Sequence, residues 1–406
     1  MPVISERGRV MPASPIRRLA PYADAAKARG TQVYHLNIGQ PDLQTPPQFF
    51  EAIAKADVQV LAYSPSAGHE SYRAKLVGYY ANYGITHLGP EHITVTTGGS
   101  EALRFAFAAC FNPGDEVIIP EPFYANYASF ATENGVVIRP ISTTVEDSFE
   151  LPDPAEIEQA ITPRTKALLL CNPSNPTGKL YNRSALEQLA RLVLKYDLYL
   201  IADEVYKEFC YDGYAFTSAL TLSGLEAHVV VVDSVSKRYS GCGARIGAFV
   251  SRNADLNSTV LKFAQARLSP PTLGQIGAEA LIDLPQSYYQ QIVKTYSERR
   301  DIVLDALRQL PGVVAPTVSG AFYVMPKLPI DNADRFCQWL LESFSHEGHT
   351  VMLAPGTGFY ATPGRGTQEV RLAYVLEPAK LRHAMACLAL ALETYPNRVP
   401  VAAAAV

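Results

Sequence analysis

The chain has 406 residues, 48% of them hydrophobic and 18% charged, enough to bury a sizeable core and to divide into two domains. Its formal net charge of −4, with no long block of like charge, excludes the large basic field that nucleic acid or an anionic membrane surface requires, so a small solute is the expected partner. The six cysteines, Cys110, Cys171, Cys210, Cys242, Cys337 and Cys387, form no CxxC pair and no metal-ligand spacing, and neither a disulfide framework nor a metal site is expected.

Arg7, Arg9, Pro12 and Pro15 interrupt the N-terminal stretch, which lacks the apolar run of a signal peptide. No segment approaches the roughly 20 apolar residues of a membrane helix, and a cytoplasmic protein is the expectation. From residue 92 onward, short apolar runs alternate with longer amphipathic stretches, the pattern of strands and helices around a parallel sheet. Strands are expected at 92–97, 116–120, 167–171, 198–203, 229–234 and 247–251, and helices at 101–110, 184–196 and 256–265. Several of these strands are apolar throughout and then end abruptly in polar residues. Both sheet faces are therefore covered, and a ligand belongs beyond the strand ends. Near residue 285 the pattern changes to a long helix through 308, strand-like segments at 320–325 and 369–375, and a last helix at 379–394, an α+β arrangement. The small apolar tail, 399–406, is expected to fray.

The chemistry-bearing residues follow in the same order. Thr97-Gly-Gly-Ser-Glu-Ala102 leaves a strand and opens a helix, so backbone N–H groups with little side-chain cover meet the positive end of a helix dipole. Cys171-Asn-Pro-Ser-Asn-Pro-Thr-Gly178 is a turn by composition. Asp203 closes the apolar run 198–203, where a carboxylate is costly unless it has a partner; as an isolated feature it reads as a helix cap. Lys237 follows the strand 229–234 in Ser234-Val-Ser-Lys-Arg-Tyr-Ser-Gly-Cys-Gly-Ala-Arg-Ile-Gly247. An amine that attacks a carbonyl must be desolvated or set near cations, and Arg245 lies eight residues on. The glycines of 241–247 are spaced one residue too widely for a dinucleotide fingerprint and open no suitable βαβ unit.

Ser234-Val-Ser-Lys237 with Gly243-Ala-Arg-Ile-Gly247 resembles the cofactor-lysine motif of the class I/II (fold type I) aminotransferases, and the likeness extends over nearly the whole chain. The resemblance implies an α/β fold in which a large, mostly parallel-sheet domain, 45–285, holds pyridoxal 5′-phosphate. A smaller α+β domain is then formed by 1–44 together with 286–406. It implies that Lys237 carries the cofactor as a Schiff base and later shuttles a proton, that Ser234 and Arg245 hold the phosphate, and that Asp203 pairs with the pyridine nitrogen. Tyr206 and Asn175 then match residues that contact the phenolic oxygen, and Asn175 also the substrate carboxylate. Gly99, Ser100 and the backbone of Glu101 match the phosphate loop, and Tyr124, in Pro120-Glu-Pro-Phe-Tyr, the aromatic residue stacked on the ring. Gly39, in Leu36-Asn-Ile-Gly-Gln-Pro-Asp42, is placed against the substrate, and Tyr63 reaches the phosphate of a neighbouring subunit, which implies a homodimer with shared active sites. Arg371 is otherwise a surface arginine of an alternating strand; by the resemblance it grips the α-carboxylate with its planar fork. Substrates are then an amino acid and a 2-oxo acid. Arg267 is the nearest candidate for binding a second, distal carboxylate. A C–S β-eliminating lyase on the same fold is the alternative that composition leaves open.

Overall fold

The computed structural model describes residues 2–400, so the end of the tail, 401–406, lies outside the described residues. The strands are β1 (Gln32–His35), β2 (Ile93–Thr96), β3 (Glu116–Glu121), β4 (Val137–Ser142), β5 (Thr165–Cys171), β6 (Tyr199–Asp203), β7 (Val229–Ser234), β8 (Gly247–Ser251), β9 (Tyr323–Val324), β10 (His349–Met352), β11 (Ala354–Pro355) and β12 (Val370–Ala373). Seven of them form one sheet in the order β2-β8-β7-β6-β5-β3-β4. The pairs from β4 through β7 are parallel, and β8 runs antiparallel between β2 and β7.

The continuous apolar runs follow from this placement. In β7, Val230 and Val232 pack into one core cluster, and Val229 and Val231 into the cluster on the opposite face. Alternation vanishes because neither face meets water. β4 lacked any such signal: it is an edge strand, interrupted by Pro140 and half exposed, where a missing N–H is tolerated. The expected strand at 92 begins one residue later, because Pro90–His92 forms a turn of 3₁₀-helix.

The second part is built on the helix Gln286–Arg308, the antiparallel sheet β11-β12-β9, and the parallel pair β1-β10. Through the last of these, the N-terminal segment folds with the C-terminal region. Arg299 reinforces the join by donating to Asp42 Oδ1 at 2.6 Å and to the Val375 carbonyl at 2.7 Å. β12 is buried on both faces, so Arg371 is an interior residue, 1% exposed, and the surface reading of that strand is corrected.

The carboxyl ends of β2, β3, β5, β6 and β7 share one edge of the large sheet, and the segments bearing Gly99, Tyr124, Asn175, Tyr206 and Lys237 leave from them. Among the described residues, no helix is long and apolar enough to cross a membrane.

Candidate active site

A cleft of about 510 Å³ opens at that edge and is lined by Gly39, Gly99, Ser100, Tyr124, Asn175, Asp203, Tyr206, Ser234, Lys237, Arg245 and Arg371. Lys237 lies on a helix of four residues, Val235–Arg238, that starts where β7 ends and is capped by Ser234 Oγ, which accepts from Ser236 N–H at 3.1 Å. Its Nζ donates to the Gly39 carbonyl at 2.8 Å. Burial lowers the pKa of this amine; the charges of Arg371 and Arg245 act in the same direction, against Cys242 and Asp203. An ammonium so placed gives up its proton more readily, and the neutral form is the nucleophile.

Asp203 ends β6 with 4% exposure. Its Oδ2 accepts from the Tyr127 hydroxyl at 2.7 Å. Burial pushes its carboxyl up to about 6, although the hydrogen bonds from Tyr127 and the Val205 N–H oppose the rise. A cation in the cleft is the partner that would hold this carboxylate charged.

Beside it, the helix Gly99–Cys110 begins at Gly98, whose φ of 75° lies in the left-handed region. A Cβ on Gly98 would stand 2.4 Å from Arg245 Nη2 and would push the guanidinium away from the helix start, in addition to the strain of that φ. Arg245 is fixed by donating to the carbonyls of Cys242, at 2.9 Å, and Thr97, at 3.3 Å. The Ser234 hydroxyl lies 2.7 Å from Ser236 Oγ and 3.1 Å from the Ile246 carbonyl. Helix N–H groups, a hydroxyl and an arginine together make a seat for a phosphate dianion. With the lysine and the buried carboxylate, the residues present fit pyridoxal 5′-phosphate.

Across the cleft, Arg371 donates through Nη1 to Asn175 Oδ1 at 2.8 Å and through Nη2 to the Asn37 carbonyl at 2.6 Å. Its guanidinium sits 4.6 Å from the ring centre of Tyr323 and 4.9 Å from that of Phe359, and its buried Nε has no hydrogen-bond partner within the chain. Two bonds leave donors of a five-donor fork free for a carboxylate. The Tyr206 hydroxyl lies 2.9 Å from that of Tyr323, and Tyr124 accepts from Asn126 Nδ2 at 2.8 Å.

Three candidates are not brought to the cleft. The Glu101 N–H donates to the Gly98 carbonyl at 3.2 Å, and its carboxylate accepts from Thr97 N–H at 2.8 Å. Tyr63 is 77% exposed. Arg267 pairs with Glu101 at 3.2 Å and donates to the carbonyls of Ser66, at 3.0 Å, and Val95, at 3.3 Å. Its fork is turned into the fold, and the expectation that it binds a distal carboxylate is corrected. Conversely, Tyr323, Asn37 and Arg17 line or brace the cleft without having been singled out. Tyr323 carried one indirect signal: a Cβ on Gly39 would fall 1.8 Å from its hydroxyl, so a glycine in the Leu36–Asp42 segment marks where an aromatic group presses.

A family model described as aminotransferase class I and II matches residues 31–388. The aspartate/prephenate aminotransferase of Thermus thermophilus is 34% identical over 385 residues, covering 93% of this chain and 96% of the relative. The aspartate aminotransferase of Thermotoga maritima is 31% identical over 386 residues, covering 94% and 97%. Among solved structures, the Thermus thermophilus aspartate aminotransferase with maleate superposes with a TM-score of 0.86 at 32% identity, covering 97% of this chain and 100% of that one. An alanine aminotransferase from Pyrococcus furiosus gives 0.87 at 29% identity, covering 96% and 99%.

Proposed function

The chain belongs to the aminotransferase class I and II family, and from that membership we propose how its residues share the work of moving an amino group between an amino acid and a 2-oxo acid. The enzyme is an aminotransferase that uses pyridoxal 5′-phosphate, and the relatives described above are aminotransferases, not lyases. The observation that carries the assignment of roles is the convergence of Lys237, Asp203, Arg245 and Arg371 on one cleft. When bound, the cofactor supplies an aldehyde for the lysine amine and a ring that accepts the electron pair left at the substrate Cα.

In this reading Lys237 Nζ would hold the cofactor and, as a free amine, would carry the proton taken from the substrate Cα. Asp203 keeps the ring nitrogen protonated; Tyr127 orients the carboxylate. The N–H groups of Gly99 and Ser100, the Ser234 hydroxyl and Arg245 hold the phosphate, while Glu101 is omitted because its N–H is engaged at Gly98. Tyr206 and Asn175 would meet the phenolic oxygen, and Tyr124 would cover the ring; all three line the cleft. Gly39 lies against the substrate, its bare Cα admitting Tyr323 to the same wall of the cleft. Tyr63 serves the cleft of a second copy in a homodimer; its exposure, next to Val60 at 78% and Leu61 at 62%, supports that proposal. We place the enzyme in the cytoplasm and divide it at 45–285 against 1–44 with 286–406, a division supported by the β1-β10 pairing.

Arg371 takes the α-carboxylate that all the substrates share. Bonds to a charged group are worth about 1.5–3 kcal/mol each, so Arg371→Ala should lower kcat/KM at least about 100-fold for every donor while bound cofactor absorbance persists. Arg371→Lys should recover only part, because an ammonium keeps the charge without the fork. Near-wild-type kcat/KM in Arg371→Ala, or loss of cofactor as its main effect, would remove this assignment.

With Lys237, Arg245 and Arg371 occupied, Arg17 is the remaining cation of the cleft, and it has no ion-pair partner among the described residues. It follows Ile16, whose carbonyl accepts from Asn37 Nδ2 at 2.9 Å, so it is anchored beside the residue that braces Arg371. We therefore assign a second anionic group to the preferred substrate, in keeping with the maleate held by the Thermus thermophilus structure. In a panel of donors, Arg17→Gln should lower kcat/KM for aspartate by about 10-fold relative to leucine and methionine, the worth of one charged hydrogen bond. Equal losses for all three would refute it.

A further inference from the structure

A helix of four residues cannot hold itself together, because nucleation fixes several residues for a single hydrogen bond. Yet Val235–Arg238 must aim the Lys237 amine. On the side of this turn away from the cleft lies a group of buried charges that the chemistry described above does not use. Arg238, 1% exposed, donates through Nη1 to Asp233 Oδ1 at 2.7 Å and to the Ser234 carbonyl at 3.1 Å. One guanidinium nitrogen thus joins the residue before the helix cap to the cap itself, from the far end of the turn. Asp233 Oδ1 also accepts from Ser234 N–H at 2.8 Å and lies 2.6 Å from Lys207 Nζ, and its Oδ2 accepts from Tyr80 at 2.9 Å. The Arg238 guanidinium is fixed laterally at 4.6 Å from the Tyr79 ring centre and 5.1 Å from that of Tyr239.

We infer that Arg238, acting through Asp233 and Ser234, is a positioning residue that sets the direction of the Lys237 amine. The inference rests on the reading of Lys237 as the cofactor lysine. Burying several charges gains little stability over a packed apolar group of equal size, and the best-attested use of such clusters is to fix one arrangement among several. Here the arrangement fixed is that of the backbone on both sides of Lys237. Asp233 is held well below the usual carboxylate range by Arg238 and Lys207 in spite of its burial, so the brace stays charged. Lys237 changes partners during each turnover, and a backbone that yielded with it would lose alignment; misplacement by about 1 Å can cost about 100-fold in rate.

Arg238→Met keeps a long apolar side chain in the buried site, removes the guanidinium that meets the two tyrosine rings, and leaves Asp233 paired with Lys207. In the cofactor-free protein, amide hydrogen exchange over 235–239 should accelerate at least about 10-fold while the amides of β6 keep their rates. In the loaded enzyme, kcat should fall about 10- to 100-fold with KM within about 2-fold, and Arg238→Lys, whose ammonium can reach Asp233, should recover most of the loss. Unchanged exchange and kcat overturn the inference. So does exchange that accelerates equally in β6, which is general loosening, or an Arg238→Lys no better than Arg238→Met. If Arg238→Met does not fold, Arg238→Gln, a shorter neutral side chain without the charged bond to Asp233, replaces it with the same expected and overturning results. Borohydride reduction of the wild-type holoenzyme separates the two readings. Failure to trap cofactor on Lys237 removes the site assignment itself; trapping there with wild-type behaviour of the Arg238 variants removes only the positioning role.

Discussion

Lys237→Ala is expected to give a folded but colourless protein whose amino transfer is reduced on the order of 10⁴-fold or more, the scale of removing both the nucleophile and the proton carrier that the proposed reading assigns to this amine. The fold should survive, because the Lys237 side chain makes one hydrogen bond, to the Gly39 carbonyl, and faces a cleft instead of the core. The brace behind it, Arg238 on Asp233 and Ser234, does not involve the lysine side chain. Without the amine no covalent link to the cofactor can form, so the visible absorption of the linked chromophore should be missing even at saturating pyridoxal phosphate. Adding a primary amine such as methylamine should restore a small part of the turnover. A variant that kept both its colour and its turnover would remove the central assignment.

Asp203→Asn is expected to lower kcat by about 100- to 1000-fold, comparable to deleting one preorganised electrostatic contact at a developing charge. The substitution is nearly isosteric, and the Tyr127 hydroxyl can still donate to an amide oxygen, so the thermal midpoint should move little. What disappears is the negative charge. A carboxylate whose pKa is raised to about 6 by burial is drawn back to its charged form by a protonated ring nitrogen, and in return keeps that nitrogen protonated. An amide does neither, so the electron pair at the substrate Cα loses its acceptor, and cofactor affinity falls as well. Absorbance titration and steady-state rates measure the two effects separately. Wild-type kinetics in Asp203→Asn would reduce Asp203 to a structural cap at the end of β6.

The large sheet was legible because its central strands are covered on both faces, which writes them into the sequence as unbroken apolar runs such as Val229–Val232. The residues that leave its carboxyl edge were legible for a related reason: Asp203 is a charge set directly after such a run, where its cost demands a purpose, and Lys237 follows the run Val229–Val232 by five residues, in the short segment that leaves the strand end. β4 was not legible, since an edge strand with Arg139 and Pro140 has neither alternation nor continuity. Nor was the pairing of β1 with β10, two four-residue strands whose partnership exists only in three dimensions. Arg267 shows a further limit. Its place in the chain set it near the active site, but the direction of a long side chain is decided by the carbonyls and the Glu101 carboxylate it meets. Arg17, by contrast, stands in a Pro-broken segment with no periodic signal and reaches the cleft because Asn37 fastens the residue before it. Arg238 drew no attention beside Lys237, because a burial of 1% cannot be seen in a motif.

The parallel pairing of Gln32–His35 with His349–Met352 also ties the two ends of the chain together. During synthesis the seven strands of the large sheet have all emerged while β10 is still unmade. The segment that brings Gly39 to Lys237, and Asn37 to Arg371, must wait for a partner more than three-quarters of the chain away. Closing so long a loop is entropically slow, whatever the stability of the finished strand pair. A chain that ends before β10 lacks both the strand that anchors the Gly39 segment and the residue Arg371, so the cleft is complete only when the C-terminal region is in place.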